Sequence, residues 1–265
     1  MATESTTATR PVALVTGASA GLGKVFAERL AASGHDLAIV ARDEARLRAL
    51  GEDLSKRHGA RVEVLVADLV NGAAREAVAE RVSRGVDYLV NNAGFGTVGE
   101  FARLPAEREV DEVELNVVTL SRLTRAALPR MLERKRGRVI NVASMAGLAP
   151  GPFTATYSAT KAFVVSLSES LAEEVRGSGV RVMALCPGFT RTEFQSRASM
   201  SVGHVPKLVW MDAEPVVDSA LAAIERGEVV HIPGAINRLT REGMRFVPRR
   251  LTARIVAATS KRFGG

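Results

Sequence analysis

Three side chains in this sequence are of types that can act together on one carbonyl oxygen: the hydroxyl of Ser144, the phenol of Tyr157 and the ammonium of Lys161. Tyr157 and Lys161 are four residues apart, so on a helix they share a face, one turn above the other. A free phenol titrates near ~10, too high for ready proton exchange at neutral pH, and a neighbouring cation favours its ionised form by roughly 1–3 units. The spacing therefore predicts a phenol tuned toward general acid/base work. Ser144 stands just beyond Arg138-Val-Ile-Asn-Val142, which reads as a strand between Gly137 and the loop Gly147-Leu-Ala-Pro-Gly-Pro152. A serine at the carboxyl end of a strand lies where open α/β sheets bind ligands. Alone, Tyr-x3-Lys is most often a partly buried ring beside a solvated charge, so the surrounding elements decide its meaning.

Those elements alternate strand with helix. Pro11-Val-Ala-Leu-Val15 reads as a strand, followed by the glycine-rich turn Thr16-Gly17-Ala-Ser-Ala-Gly21-Leu-Gly23 and a helical pattern from Lys24 to Ser33. Strand, glycine turn and helix in that order place open amides against a phosphate. Gly17, Ser19, Ala20, Gly21, Leu22 and Gly23 are thus candidate cofactor contacts, although Ser19 also fits a plain turn serine. A second strand, Gly34 to Ala41, ends in Arg42 where an acid would bind a ribose 2′-hydroxyl. Arg42 suits a 2′-phosphate, favouring NADP, with Asp43 read as the N-cap of the helix bearing Leu47 and Leu50.

The third strand, Arg61 to Ala67, ends in Asp68-Leu69, and the fourth, Val86 to Val90, in Asn91-Asn92-Ala93-Gly94. These strand-end residues either cap turns or touch the cofactor. From about Pro105 to Lys135 the chain reads as helix, with Val110, Val113, Val117, Leu120 and Leu123 as its apolar stripe. Asn116 inside it marks a local polar requirement or an exposed position.

Taken in order, residues 11–237 resemble the short-chain dehydrogenase/reductase family. The matching motifs are the Thr16–Gly23 turn, Asp68-Leu69, Asn91-Asn92-Ala93-Gly94, Asn116, Ser144 thirteen residues before Tyr157, Tyr157-x3-Lys161, and Pro187-Gly188-x3-Thr192. The resemblance implies a single doubly wound, Rossmann-like α/β domain with a parallel sheet of about seven strands and helices on both faces. It implies a nicotinamide cofactor contacted also by Asp68, Leu69, Asn92, Ala93, Gly94, Pro187, Gly188, Thr190 and Thr192. Tyr157 would protonate a carbonyl oxygen held by Ser144 as hydride arrives. Lys161 would lower the phenol's pKa and bind the nicotinamide ribose, and Asn116 would help hold a relay water. The family's enoyl reductases space the tyrosine and lysine more widely, so the motif points to carbonyl/alcohol chemistry. Thr190 departs from the usual aliphatic residue. The segment Pro233-Gly-Ala-Ile-Asn237 departs from the acidic-Gly-Gly turn of tetrameric members, so a homodimer is expected.

The remaining features bound the reading. At 265 residues, 46% hydrophobic and 25% charged, the chain fits one soluble globular domain. The lone Cys186 can form no intrachain disulfide, and no apolar run approaches the ~18 residues of a membrane span, so a cytoplasmic enzyme is expected. No histidine cluster points to a metal. Residues 238–265 hold eight Arg or Lys against one acid, the whole net charge of +7. The body is therefore balanced, which argues against nucleic acid.

The organisation expected is a flexible tail (1–10), the domain (11–237) with a substrate lid (189–212), and a basic arm (238–265). The lid carries Phe189, Phe194, Met200, Val202 and Trp210 and predicts an apolar substrate, or packs on its own core. Phe163, Leu167, Leu171 and Val175 form a stripe that serves a subunit interface or the core. In the arm, Leu251, Ile255, Val256 and Phe263 beside Arg250, Arg254 and Lys261 suit weak contact with a membrane surface, or packing on the fold. The alternative to an NADP(H)-dependent oxidoreductase is an idle NADP-binding scaffold acting through that arm.

Overall fold

Seven strands lie parallel in the order β3-β2-β1-β4-β5-β6-β7. They are β1 (Val12–Thr16), β2 (Asp36–Ala41), β3 (Val62–Val66), β4 (Tyr88–Asn91), β5 (Gly137–Val142), β6 (Val180–Leu185) and β7 (Val230–His231). This is the computed structural model of the chain, described over residues 10–203 and 205–260. The expected tail before Arg10, His204, Lys261 and Phe263 lie outside the described residues.

Both faces of the sheet are covered, which is why its inner strands read as unbroken apolar runs. All six residues of β2 are buried. Side chains alternate along each strand, so Ala13, Val15, Leu37 and Ile39 pack with α1 (Gly21–Ala32), α2 (Glu44–His58) and, farther along the sheet, α8 (Ala213–Arg226). Leu14, Ala38 and Val40 face the other way, toward α3 (Gly72–Ser83), α5 (Leu120–Glu133) and α6 (Ala155–Glu174). Between β1 and β4 the chain order reverses, and such a switch opens a crevice at the carboxyl ends of the strands.

The segment after Pro105 is not the single helix with the expected stripe. It divides into α4 (Ala106–Val113), a π turn (Glu114–Thr119) and α5. Val110 is 61% exposed and Val113 is also exposed, while Glu109, Glu112, Asn116 and Thr119 are buried. Polar anchors override the apolar period: Thr119 Oγ1 donates to Leu69 O at 2.7 Å, and the Asn116 amide brackets the backbone of Phe95.

Helix α6 is held to the sheet by a buried polar chain. Asn91 Nδ2 donates to Asn141 Oδ1 at 2.8 Å, Asn141 Nδ2 to Ser168 Oγ at 3.0 Å, and Ser168 Oγ to Val164 O at 2.7 Å. One acceptor, Asn91 Oδ1, is left buried without a partner, but the chained bonds fix the packing of the helix bearing Tyr157 and Lys161. Its stripe divides: Leu167 and Leu171 pack on the core, Val175 is buried, and Phe163 is exposed. The short helix α7 (Phe194–Arg197) lies in the expected lid. Two last helices, α9 (Ala235–Arg245) and α10 (Arg249–Ser260), follow β7, so the basic arm continues from the domain within one helix. No described helix is long and apolar enough to cross a membrane.

Candidate active site

A cavity of about 1310 Å³ opens along the carboxyl edge of the sheet. The glycine turn forms one end. Gly17, Ser19, Ala20, Gly21 and Leu22 line it. Helix α1 begins there with no side-chain cap and no acid in its first turn, so the positive end of its dipole is open to an anion. The turn is clamped from β4: Thr16 Oγ1 accepts from Asn92 N and Ala93 N at 3.0 Å each, and Asn92 Nδ2 donates to Thr16 O at 2.9 Å. Asn92 lines the cavity, yet its amide is spent on shaping the turn. Gly23 does not line the cavity. A Cβ there would sit 2.3 Å from Gly17 O, so its role is close packing of helix against turn.

Arg42 and Asp68 face the cavity at the ends of β2 and β3, paired at 3.7 Å and both well exposed. Asp43 caps α2 by accepting from Arg46 N, as its position predicted. Leu69, Ala93 and Gly94 continue the wall, followed across the cleft by Pro187, Gly188, Thr190 and Thr192. Thr190 Oγ1 donates to Gly188 O at 3.2 Å, so its hydroxyl is used within its own turn.

At the other end of the cavity Ser144, Tyr157 and Lys161 come together. Ser144 follows β5 and caps a short 3₁₀ turn, Met145–Leu148, by accepting from Ala146 N at 3.1 Å. Its hydroxyl faces the Tyr157 phenol and favours the phenolate. Lys161 is buried, with Nζ donating to Val142 O at 2.8 Å and lying 5.8 Å from the centroid of the Tyr157 ring. Asn116 does not line the cavity. It sits behind Gly94, where an added Cβ would lie 2.8 Å from Asn116 Oδ1 and 3.4 Å from Lys161 Nζ.

The expected acidification of the phenol does not hold in the chain alone. Burial pushes Tyr157 up to about 12, the Ser144 hydrogen bond pulls it partly back, and Glu112 adds to the rise. Burial likewise pushes Lys161 down to about 8. Desolvation outweighs the attraction between ammonium and phenolate because it acts on each group, while the ammonium points past the ring to a carbonyl. Cys186, at the end of β6, is a buried thiol pushed up to about 12, which leaves it an inert small hydrophobe.

Sequence reasoning missed part of the wall. Gly96 packs so closely on Tyr157 that a Cβ would lie 2.9 Å from the ring and 3.4 Å from Phe194, whose own ring lies tilted against the phenol with centroids 5.5 Å apart. Ile236, Met244 and Val256, from α9 and α10, close the outer end together with Met200 and Val209 of the lid. The amphipathic period of the arm was visible, but not the direction in which it folds.

A doubly wound parallel sheet, with an uncapped helix start and a Ser-Tyr-Lys cluster on one cleft, defines a dinucleotide-binding α/β oxidoreductase. The profile described as short chain dehydrogenase matches residues 11–202, and the chain belongs to that family of nicotinamide-dependent enzymes. It is similar to a short-chain dehydrogenase from Sphingobium yanoikuyae solved with NADPH (39% identity, TM-score 0.81, 90% of this chain and 96% of that one). It is similar also to the bulky-bulky ketone specific alcohol dehydrogenase from Comamonas testosteroni (34%, TM-score 0.76, 90% and 99%). A third relative, from Burkholderia phymatum, was solved with NAD (27%, TM-score 0.77, 88% and 92%).

Proposed function

We propose that the chain is an NADPH-dependent carbonyl reductase acting on an apolar ketone or aldehyde. The observation that carries this reading is the placement of Ser144, Tyr157 and Lys161 on the same cavity as the open helix start and Arg42. The residues fit a dinucleotide: uncapped amides for a pyrophosphate, a guanidinium at the end of β2 for a 2′-phosphate, and an ammonium near Gly94 for a ribose. Since relatives are found with either NADPH or NAD, the preference rests on Arg42.

A nicotinamide, when bound, would supply the hydride for the carbonyl carbon. Tyr157 gives its phenolic proton to the carbonyl oxygen, and Ser144 donates a hydrogen bond to that oxygen. A phenol near 12 keeps its proton throughout the neutral range, so the proton that reduction consumes is present. Phe189, Met200, Val209 and Ile236 on the cavity wall support an apolar substrate, as does the likeness to an enzyme named for bulky ketones.

Two assembly readings belong with this one. Exposed Val110, Val113 and Phe163 on α4 and α6 support a homodimer through that face. Light scattering on Val110→Asp/Phe163→Asp would yield a monomer, and an unchanged mass would refute it. Leu239 (76% exposed) and Phe246 (88%), beside Arg238, Arg241, Arg250 and Arg254, support weak contact with anionic lipid. Undiminished sedimentation with phosphatidylserine vesicles by Leu239→Asp/Phe246→Asp would refute that.

The enzymatic reading is tested by following NADPH oxidation over a panel of aldehydes and ketones, with Tyr157→Phe as the control. Turnover abolished by the substitution is expected. Tight NADPH binding without turnover on any compound would overturn it in favour of a binding protein.

A further inference from the structure

Helix α4 turns two carboxylates inward and its valines out. Glu112 is fully buried and Glu109 nearly so. Glu112 Oε2 accepts from Thr97 N at 3.0 Å and from Thr97 Oγ1 at 2.7 Å, and Glu109 Oε2 accepts from Thr156 Oγ1. The second oxygen of each, Oε1, is buried without a hydrogen-bond partner. A partly satisfied interior carboxylate is costly unless an opposite charge offsets it.

The elements packed against α4 locate that charge. From α6, Lys161 and Tyr157 lie within electrostatic reach of Glu112, and Glu109 is the like charge on its own helix. Burial lifts Glu112 to about 7 and Glu109 adds to the rise, while the Thr97 hydrogen bonds and then Lys161 draw it down. Burial lowers Lys161 to about 8 while Glu112 is the first group to draw it back up. The loop held by Thr97 also carries Gly94, against Lys161 and Asn116, and Gly96, against the Tyr157 ring.

We propose that Glu112 is a positioning residue for the Tyr157–Lys161 pair: through Thr97 it fixes the glycine loop packed on both side chains, and its buried carboxylate keeps the Lys161 ammonium charged. This builds on the reading of Tyr157 and Lys161 as the catalytic pair, but the coupling itself is independent of turnover. The sign follows from burial. With Glu112 ionised, the ammonium survives to higher pH; with a neutral side chain there, desolvation acts alone and the proton leaves sooner.

The test is an NMR titration of the full chain, reading the Glu112 carboxyl carbon and the Lys161 ammonium nitrogen. In the wild type the Lys161 signal should shift where Glu112 titrates, and independent curves would overturn the proposal even if no variant folds. Glu112→Gln, which keeps an acceptor for Thr97, should move loss of the Lys161 proton about one pH unit lower. An unmoved Lys161 curve in a folded Glu112→Gln protein would overturn it. Thr97→Val removes a hydroxyl that helps hold Glu112 ionised, so it should raise the Glu112 inflection, move loss of the Lys161 proton lower as Glu112→Gln does, and also speed amide exchange at Phe95 and Gly96, which Glu112→Gln should not. Should the protein reduce no carbonyl compound, the proposed function falls, while the titration still decides the coupling.

Discussion

Lys161 Nζ donates to the carbonyl of Val142 at 2.8 Å, which ties the helix carrying the phenol to the end of the strand that leads to Ser144. Lys161→Met keeps the length of the side chain and removes both charge and donor. The Val142 carbonyl is then buried without its partner, at a cost of about 1–3 kcal/mol, which for a domain of this size lowers Tm by roughly 2–10 °C. The chemical step should fall further than stability does, by ~10²-fold or more, because the ammonium is lost beside the proton donor. Calorimetry and single-turnover NADPH oxidation separate the two effects. A variant with a lowered Tm and wild-type single-turnover rate would show that Lys161 only fastens the helix.

The raised phenol gives a directional pH dependence. Because burial holds Tyr157 near 12, the group stays protonated as pH rises through neutrality, so its acid role persists. Carbonyl reduction should be flat in pH between 6 and 7.5, as far as this group is concerned. Alcohol oxidation should climb toward high pH, since the phenolate it needs grows about tenfold per unit below the pKa. Tyr157→Phe should lower both directions by ~10²–10⁴-fold while leaving NADPH affinity nearly intact. Steady-state rates in both directions from pH 6 to 10 check this, and an oxidation rate already flat at pH 7 would contradict it.

Arg42 should decide the cofactor. It is 70% exposed and paired with Asp68 at 3.7 Å, a loose contact that a 2′-phosphate would replace. A charge-assisted contact at so open a site is screened, so Arg42→Ala should weaken NADPH binding by roughly 5- to 50-fold and leave NADH within about twofold. The gap between the cofactors should narrow as salt rises from 50 to 500 mM. Fluorescence titration at both ionic strengths measures it.

The sheet was legible because buried parallel strands write unbroken apolar runs, and the cleft because glycine turns and strand-end polar residues fall in fixed places along the chain. What stayed hidden depends on tertiary direction. Val110 and Val113 fit the apolar period of a helix, but the residue before each, Glu109 and Glu112, finds Thr156 and Thr97, and that pairing turns the helix over. Tyr157 and Lys161 share a face as their spacing required, yet which effect sets the phenol depends on burial, and spacing does not report burial. Ile236, Met244 and Val256 reach the cavity only because the chain doubles back after β7. Asn91 reads only as part of a strand-end motif, and Asn141 and Ser168 carry no signal beyond their polarity, although together they fasten α6 to the sheet.

Two glycines separate what the turn needs from what a helix end needs. A Cβ on Gly23 would meet Gly17 O at 2.3 Å and Asn92 Nδ2 at 2.5 Å, both parts of the clamp that shapes the turn. Backbone cannot rotate aside as a flexible side chain would, so the start of α1 must move. Gly34, with φ +91 and nothing within 4 Å, would give an alanine only backbone strain. Gly23→Ala should therefore cost about 1–3 kcal/mol or more through overpacking and weaken NADPH binding at least tenfold, because the displaced amides are those facing the phosphate. Gly34→Ala should cost about 1–2 kcal/mol with NADPH affinity unchanged. Thermal denaturation with and without saturating NADPH distinguishes them: the ligand-induced rise in Tm should survive in Gly34→Ala and shrink in Gly23→Ala. An equal rise in both would mean that the amides at the start of α1 do not bind the dinucleotide.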